Sequence, residues 1–149
     1  MGNINIISEN IRKVVIEAKP VLLKILPETA GIKPKPEKWS KKEILGHLID
    51  SAANNHQRYV RAAQNIAADF PPYNQNRWVE VQCYNKLDWH DLIELFYYYN
   101  MHISHVIELL PEEVLTNPVN IGKENSVTLE FVITDYLRHL KHHVEQLYA

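Results

Sequence analysis

The sequence predicts an all-α protein, a bundle of four long helices. Two observations predict it. Apolar residues recur at spacings of three and four through four separate stretches, each bounded by a cap or a proline. The chain also has only 4 glycines and no long stretch of alternating apolar and polar residues, so little of it suits a sheet.

The first helix is predicted over residues 8–26. It opens at Ser8, with Glu9 in its first turn and Ile11, Val14, Val15, Val21, Leu22 and Ile25 following. Pro20 lacks an N–H and clashes with the preceding turn, which predicts a kink or a split; Pro27 is the stop. Residues 31–39, GIKPKPEKW, read as an extended linker. Ser40 and Glu43 form a capping box that opens the second helix, 40–68, ended by Pro71 and Pro72. Residues 71–87 are a long connection with room for one helical turn, of a length that often packs over a site. Asp88 caps the third helix, 88–110, with Leu92, Leu95, Phe96, Tyr99, Ile103, Val106 and Leu110 on one face and Pro111 as the stop. Residues 112–125 are polar and turn-like, with a short extended piece possible between Val119 and Val127. Ser126 or Thr128 starts the fourth helix, 128–148. The expected organisation is one domain over 1–149, long enough to bury a core.

Composition narrows the function. Hydrophobic residues make up 46% and charged residues 23%, as in globular proteins generally. A net charge of −2 gives no basic footprint for nucleic acid. No apolar run approaches the roughly 18 residues of a membrane span. The N-terminus lacks a signal pattern, and Ile6 stands where a myristoylation motif after Gly2 needs Ser or Thr. The single cysteine, Cys83, cannot form an internal disulfide and fits a reducing compartment. The expected location is the cytoplasm.

Histidine is the one excess, with 8 residues. His139 and His143 are four apart, which stacks two imidazoles on one helix face at the margin of the stripe Leu129, Ile133, Tyr136, Leu137, Leu140, Val144 and Leu147. His142 points outward. On the second helix, with the stripe Ile44, Leu45, Leu48, Ala52, Tyr59, Ala63 and Ile66, His47 lies at a similar margin. Three imidazoles with a fourth position open is the pattern of a catalytic metal site. A histidine at such a margin also suits a half-buried ring bonded to a carbonyl, and spacing alone leaves both readings open. His102, paired with His105 on the third helix, is a competing ligand. Asp50, one turn beyond His47, is expected to point outward, as a cap, an ion-pair partner or an outer support of the site. Ser51, Asn55 and Arg58 fall where a plain core would be apolar, so they are pocket candidates able to orient a polar or anionic group. Cys83 has no motif around it, the chain has no Gly-rich phosphate loop, and the run FYYY at 96–99 reads as core and interface.

Three segments carry a family resemblance: WSKKEILGHLIDS from Trp39 to Ser51, YNQNRW from Tyr73 to Trp78, and TLEFVITDYLRHLKHH from Thr128 to His143. In order and spacing they resemble the DinB/YfiT-like superfamily across nearly the whole chain. The resemblance implies a four-helix bundle, commonly dimeric, that binds a divalent metal through three histidines, by position His47, His139 and His143. It also implies a small-molecule substrate. Related members are S-transferases or isomerases using a low-molecular-weight thiol such as bacillithiol or mycothiol, and others are assigned as metal-dependent hydrolases. The leading expectation is a small-thiol-dependent S-transferase acting on electrophiles. A hydrolase on the same metal, or a non-catalytic, metal-stabilised, stress-linked binding protein, are the alternatives. Imidazole suits several metals; zinc is the first expectation and nickel the second. Affinity should fall as pH drops through about 6.5, because the neutral ring is the binding form.

Overall fold

Four long helices supply the core: α1 (Asn3–Leu23), α3 (Lys41–Ala63), α5 (Trp89–Glu108) and α6 (Leu129–Leu147). Two shorter ones, α2 (Pro27–Ala30) and α4 (Gln75–Gln82), lie in the connections. This computed structural model describes residues 3–149; Met1 and Gly2, the start of the excluded myristoylation motif, lie outside it. α1 and α3 each pack against both α5 and α6, so α1 and α3 face each other across the bundle. One continuous core runs through it, from Ile4 and Ile11 to Leu140 and Leu147.

The caps read from the sequence are present. Ser40 Oγ accepts from Glu43 N and the Glu43 side chain accepts from Ser40 N, which closes the capping box of α3. Asp88 caps α5 and Thr128 caps α6 through their side-chain oxygens. At the other end of α6, Lys41 Nζ donates to the carbonyls of Leu147 and Ala149 at 2.9 and 2.8 Å. This ties the start of α3 to the end of α6, so the two helices run antiparallel.

Several boundaries differ from expectation. α1 begins at Asn3, not Ser8. Ser8 is fully buried, and its hydroxyl donates to the Ser104 carbonyl of α5 at 2.8 Å, so it is a cross-helix bond rather than a cap. α1 passes Pro20 without splitting and ends at Leu23; Trp89 Nε1 takes up the Leu22 carbonyl at 3.1 Å. Pro27 does more than stop the chain, since it opens α2 at a position where a missing N–H is harmless. α3 ends at Ala63, five residues before the expected 68, because Asn65 turns left-handed (φ 58°) and Asn117 docks on the Ala62 carbonyl. Ile66, expected on the α3 stripe, is therefore outside the helix and 52% exposed. α4 is longer than the single turn expected, capped by Asn74 and ended by a left-handed Cys83 (φ 51°). On α5 the buried face runs through Trp89, Ile93, Asn100, Ser104 and Ile107 as well as Leu92, Phe96 and Ile103, while Leu95 is 48% exposed. The extended piece near Val119 is an antiparallel pair, β1 (Pro118–Val119) with β2 (Val127–Thr128). It leads directly into the Thr128 cap.

Gly46 shows how tightly α3 is covered. A Cβ there would lie 2.2 Å from the ring of Tyr84, which sits in a 3-10 turn after α4. Alanine normally favours a helix by about 1 kcal/mol over glycine. Here overpacking against Tyr84 outweighs it, so Gly46→Ala should lower stability by about 1–2 kcal/mol net. Thermal unfolding followed by circular dichroism measures this; an unchanged or raised melting temperature would show that Tyr84 moves away freely.

Candidate metal centre

The register of α3 against α6 decides which side chains meet. His47 lies near the start of α3 and is fully buried. His139 and His143 lie toward the end of α6 and are half-buried. In an antiparallel pair these ends meet. The Nε2 atoms of His47 and His139 are 3.0 Å apart, and one ring nitrogen from each of the three histidines lies within 4.8 Å of the others. Their ring centroids are 4.5–4.9 Å apart, all in edge-on orientations. In tetrahedral coordination at 2.0–2.1 Å, neighbouring donors stand about 3.3 Å apart. The cluster therefore needs only small rotations to surround one ion. Among the described residues this is the group of three or more potential ligands that comes together.

The surroundings keep these rings neutral. His47 is pushed down to about 3, first by burial and then by the two neighbouring imidazoles. His139 is pushed down to about 4 by burial and by His143. His143 is also lowered, chiefly by burial, against a bond to Gln146 that raises it. Gln146 Oε1 is 2.9 Å from His143 Nδ1, so an Nδ1–H donates to it and the Nε2 lone pair is left free. His47 Nδ1 is buried without a partner, and its Nε2 faces the Nε2 of His139 at 3.0 Å. Three clustered ring nitrogens on neutral imidazoles suit a cation, and the three rings are a candidate donor set for a divalent metal ion.

Cavities open beside two of the three rings. One, of about 260 Å³, has His139 on its wall together with Ser51, Asn55, Arg58, Tyr73, Asp135 and Tyr136. The other, of about 560 Å³, has His143 and Gln146 on its wall with Trp39, Ile44 and Lys38. The Trp39 ring lies 4.8 Å from that of His47.

The structure brings together His47, His139 and His143, and it places Ser51, Asn55 and Arg58 in one cavity beside them. Asn55 Nδ2 donates to the Ser51 carbonyl at 2.8 Å, and Arg58 Nη1 to Asn55 Oδ1 at 3.4 Å. His142 is exposed, as its wheel position predicts. His102 does not join the cluster; it is exposed, beside His56 and His105. Asp50 corrects the expectation of an outward side chain. It is 2% exposed, and Oδ1 accepts from Tyr84 Oη at 2.5 Å and Gln82 Nε2 at 2.8 Å. Burial raises its carboxyl against those two bonds. The segment 82–84, supplied by the long connection, covers that side of α3 and could not be read from helix periodicity. Gln146, Trp39 and Tyr73 are further residues of the site that the periodicity did not single out; Gln146 is signalled only by lying three residues after His143.

The family model described as the DinB superfamily matches residues 19–147. No curated protein sequence matches the chain. Among solved structures, the chain is similar to YfiT from Bacillus subtilis, described as a probable metal-dependent hydrolase with an unusual four-helix bundle topology. That likeness has a TM-score of 0.86 at 15% identity, over 99% of this chain and 86% of the other. It is also similar to the mycothiol-dependent maleylpyruvate isomerase, with a TM-score of 0.80 at 13% identity, over 99% of this chain and 62% of that protein's length. At these identities the likenesses establish the four-helix fold. No helix is long and apolar enough to cross a membrane among the described residues.

The lowered proton affinity has a sign that can be tested without metal. Between about pH 6.5 and 4 the unfolded chain binds protons at these histidines that the folded chain refuses. Stability from this source is complete above about pH 6.5, declines as pH falls, and stops declining below about 3, where His47 also protonates in the fold. Urea titrations of metal-free protein should show this slope, and His47→Gln should flatten it. Identical slopes in the two proteins would contradict the buried, neutral His47.

Proposed function

This chain belongs to the DinB superfamily, and on that premise we propose that it is a divalent-metal-dependent enzyme that transfers a small thiol to an electrophile. His47, His139 and His143 are its metal ligands in this reading. The observation that carries it is the convergence of three neutral imidazoles from two helices beside a polar cavity. Bound there, a divalent ion would supply a Lewis acid that acidifies a thiol or a water at its open position.

The chain's own residues do the rest. Gln146 holds His143 in one tautomer. Burial of His47 and His139 keeps their lone pairs available well below neutral pH, so the fall in affinity expected near pH 6.5 from a free imidazole is moved to lower pH. Ser51, Asn55 and Arg58 orient the polar end of the substrate. In the transfer the sulfur–carbon bond forms as the electrophile's leaving group departs, and the thiol proton goes to solvent. The mycothiol dependence of one structural neighbour supports the thiol reading. The description of YfiT supports a second reading, hydrolysis at the same centre. Zinc is the proposed ion and nickel the next candidate. We further propose a cytoplasmic homodimer, supported by exposed Leu95 and Tyr98 on α5, which one bundle leaves uncovered.

Metal analysis should find about one divalent ion per chain. His47→Ala and His143→Ala should each weaken its binding by more than about 100-fold, beyond what losing an outer support costs, while His142→Ala should retain it. Equal loss in His142→Ala and His143→Ala would mean that the face assignment is wrong. The loaded enzyme should couple a low-molecular-weight thiol such as bacillithiol to monochlorobimane, releasing chloride. Metal-dependent ester or amide cleavage without thiol would favour the hydrolase. A stripped protein that loses only melting temperature, after showing no turnover when loaded, would leave the metal a structural role.

The oligomer is tested by light scattering, which should give about twice the 17.4 kDa of one chain. The monomer mass across a wide concentration range would refute the dimer.

A further inference from the structure

Arg58 is a half-buried cation that lacks an anion. Its Nε is buried without a partner, and Nη1 makes one long bond, 3.4 Å, to the neutral Asn55 Oδ1. The ion pairs among the described residues are made by other cations, namely Arg12, Lys19, Lys33, Arg77 and Arg138. A carboxylate does stand on the wall of the same cavity. It is Asp135, and Arg138 holds it through Nε at 2.9 Å and Nη2 at 2.8 Å. The cavity therefore contains Arg58 and Lys123 as cations while its one acidic side chain is already engaged. A guanidinium partly withdrawn from water, with its Nε buried and unpartnered, is left short of one hydrogen bond. It is consistent with a fold that leaves the counter-ion to a ligand.

We propose that the cavity beside His139 takes the carboxylate of a small substrate, with Arg58 as its partner and Asn55 and Ser51 beside it. This deepens the reading above and rests on it for the substrate's reacting end, which lies toward His139. The planar fork of a guanidinium matches a carboxylate in two parallel bonds. The cavity, about 260 Å³, is at the small end for ligand sites. A phosphate dianion would call for a second cation as withdrawn from solvent as Arg58, whereas Lys123 is exposed. The carboxylate is therefore the anion we assign, and phosphate is the comparison.

The test is a titration of the whole protein with propionate and, separately, inorganic phosphate, followed by NMR. The resonances read are the Arg58 Nε–Hε and the Asn55 side-chain amide, with zinc added and after chelation. Propionate should shift both resonances to saturation in either state. Arg58→Gln should weaken the response of Asn55 by about tenfold or more, the range expected for losing charge-assisted hydrogen bonds. Lys123→Glu, on an exposed loop where the fold is not at risk, should weaken it as well by adding a competing carboxylate. No shift at Arg58, or equal propionate affinity in the wild type and both variants, would overturn the subsite. So would a response that needs zinc and leaves Arg58 unmoved, because the anion would then sit on the metal alone. Saturation by phosphate with no response to propionate would overturn the assignment to carboxylate. If no zinc binds while propionate still shifts Arg58, the metal reading fails and the carboxylate subsite stands.

Discussion

The antiparallel contact of α3 with α6 sets the position of the three histidines in the candidate site. Helices advance 1.5 Å per residue and turn 100°. His47 is six residues from Lys41, and His143 is four from Leu147, the pair that Lys41 Nζ ties together. The capping box at Ser40 and the cap at Thr128 fix where each helix starts and therefore which face each histidine shows. A shift of one residue in either would turn a ring by about 100° away from the others. The caps and the Lys41 tie are worth about 1 kcal/mol each. Their consequence for the placement of three imidazoles is larger than their share of stability.

The parts of the fold that depend on local chemistry could be read in the sequence. The stripes of the four long helices, the capping box at Ser40 and the spacing of His139 and His143 are each contained within one continuous segment of the chain. So are the polar intrusions Ser51, Asn55 and Arg58, and the structure places all three in one cavity. The misreadings share a cause, which is a partner distant in sequence. Ser8 looks like a cap until Ser104 is brought beside it. The end of α3 depends on Asn117, 55 residues from Ala62. Asp50 looks solvent-facing on a helix wheel and is buried because Tyr84 and Gln82 fold over it. Periodicity also suggested His102 as a ligand. It lies on α5, and its neighbours are His56 and His105 rather than the α3–α6 seam.

Two of the polar networks in the interior are of opposite character. In the first, Tyr136 Oη donates to Asn100 Oδ1 at 2.6 Å and Asn100 Nδ2 to the Phe96 carbonyl at 2.9 Å. Ser104 donates to the Asn100 carbonyl and Ser8 to the Ser104 carbonyl. Each of these side chains has a protein partner, so the network locks α1, α5 and α6 together with no role for a ligand. In the second, Ser51, Asn55 and Arg58 climb α3 toward the cavity and end at a guanidinium nitrogen without a partner. Burying polar groups is unfavourable in both cases. Only the first is closed within the protein.

Tyr136 stands where the two networks meet. Its ring is on the cavity wall with His139, yet its hydroxyl is directed into the closed network. Burial drives that phenol's proton affinity up, and its bond to Asn100 uses the proton. Tyr136 therefore presents a ring face to the cavity and no titrating group. Asp135, the acidic α6 residue there, is occupied by Arg138, and Phe131 and Val132 are apolar. Of the α6 residues that border the cavity, His139 is then the one that can carry chemistry, and the orienting polar atoms come from α3. The division follows from the helix phase: α6 contributes two of the three clustered imidazoles and an apolar wall, while α3 contributes the third imidazole near its start and an open chain of donors one to three turns further on.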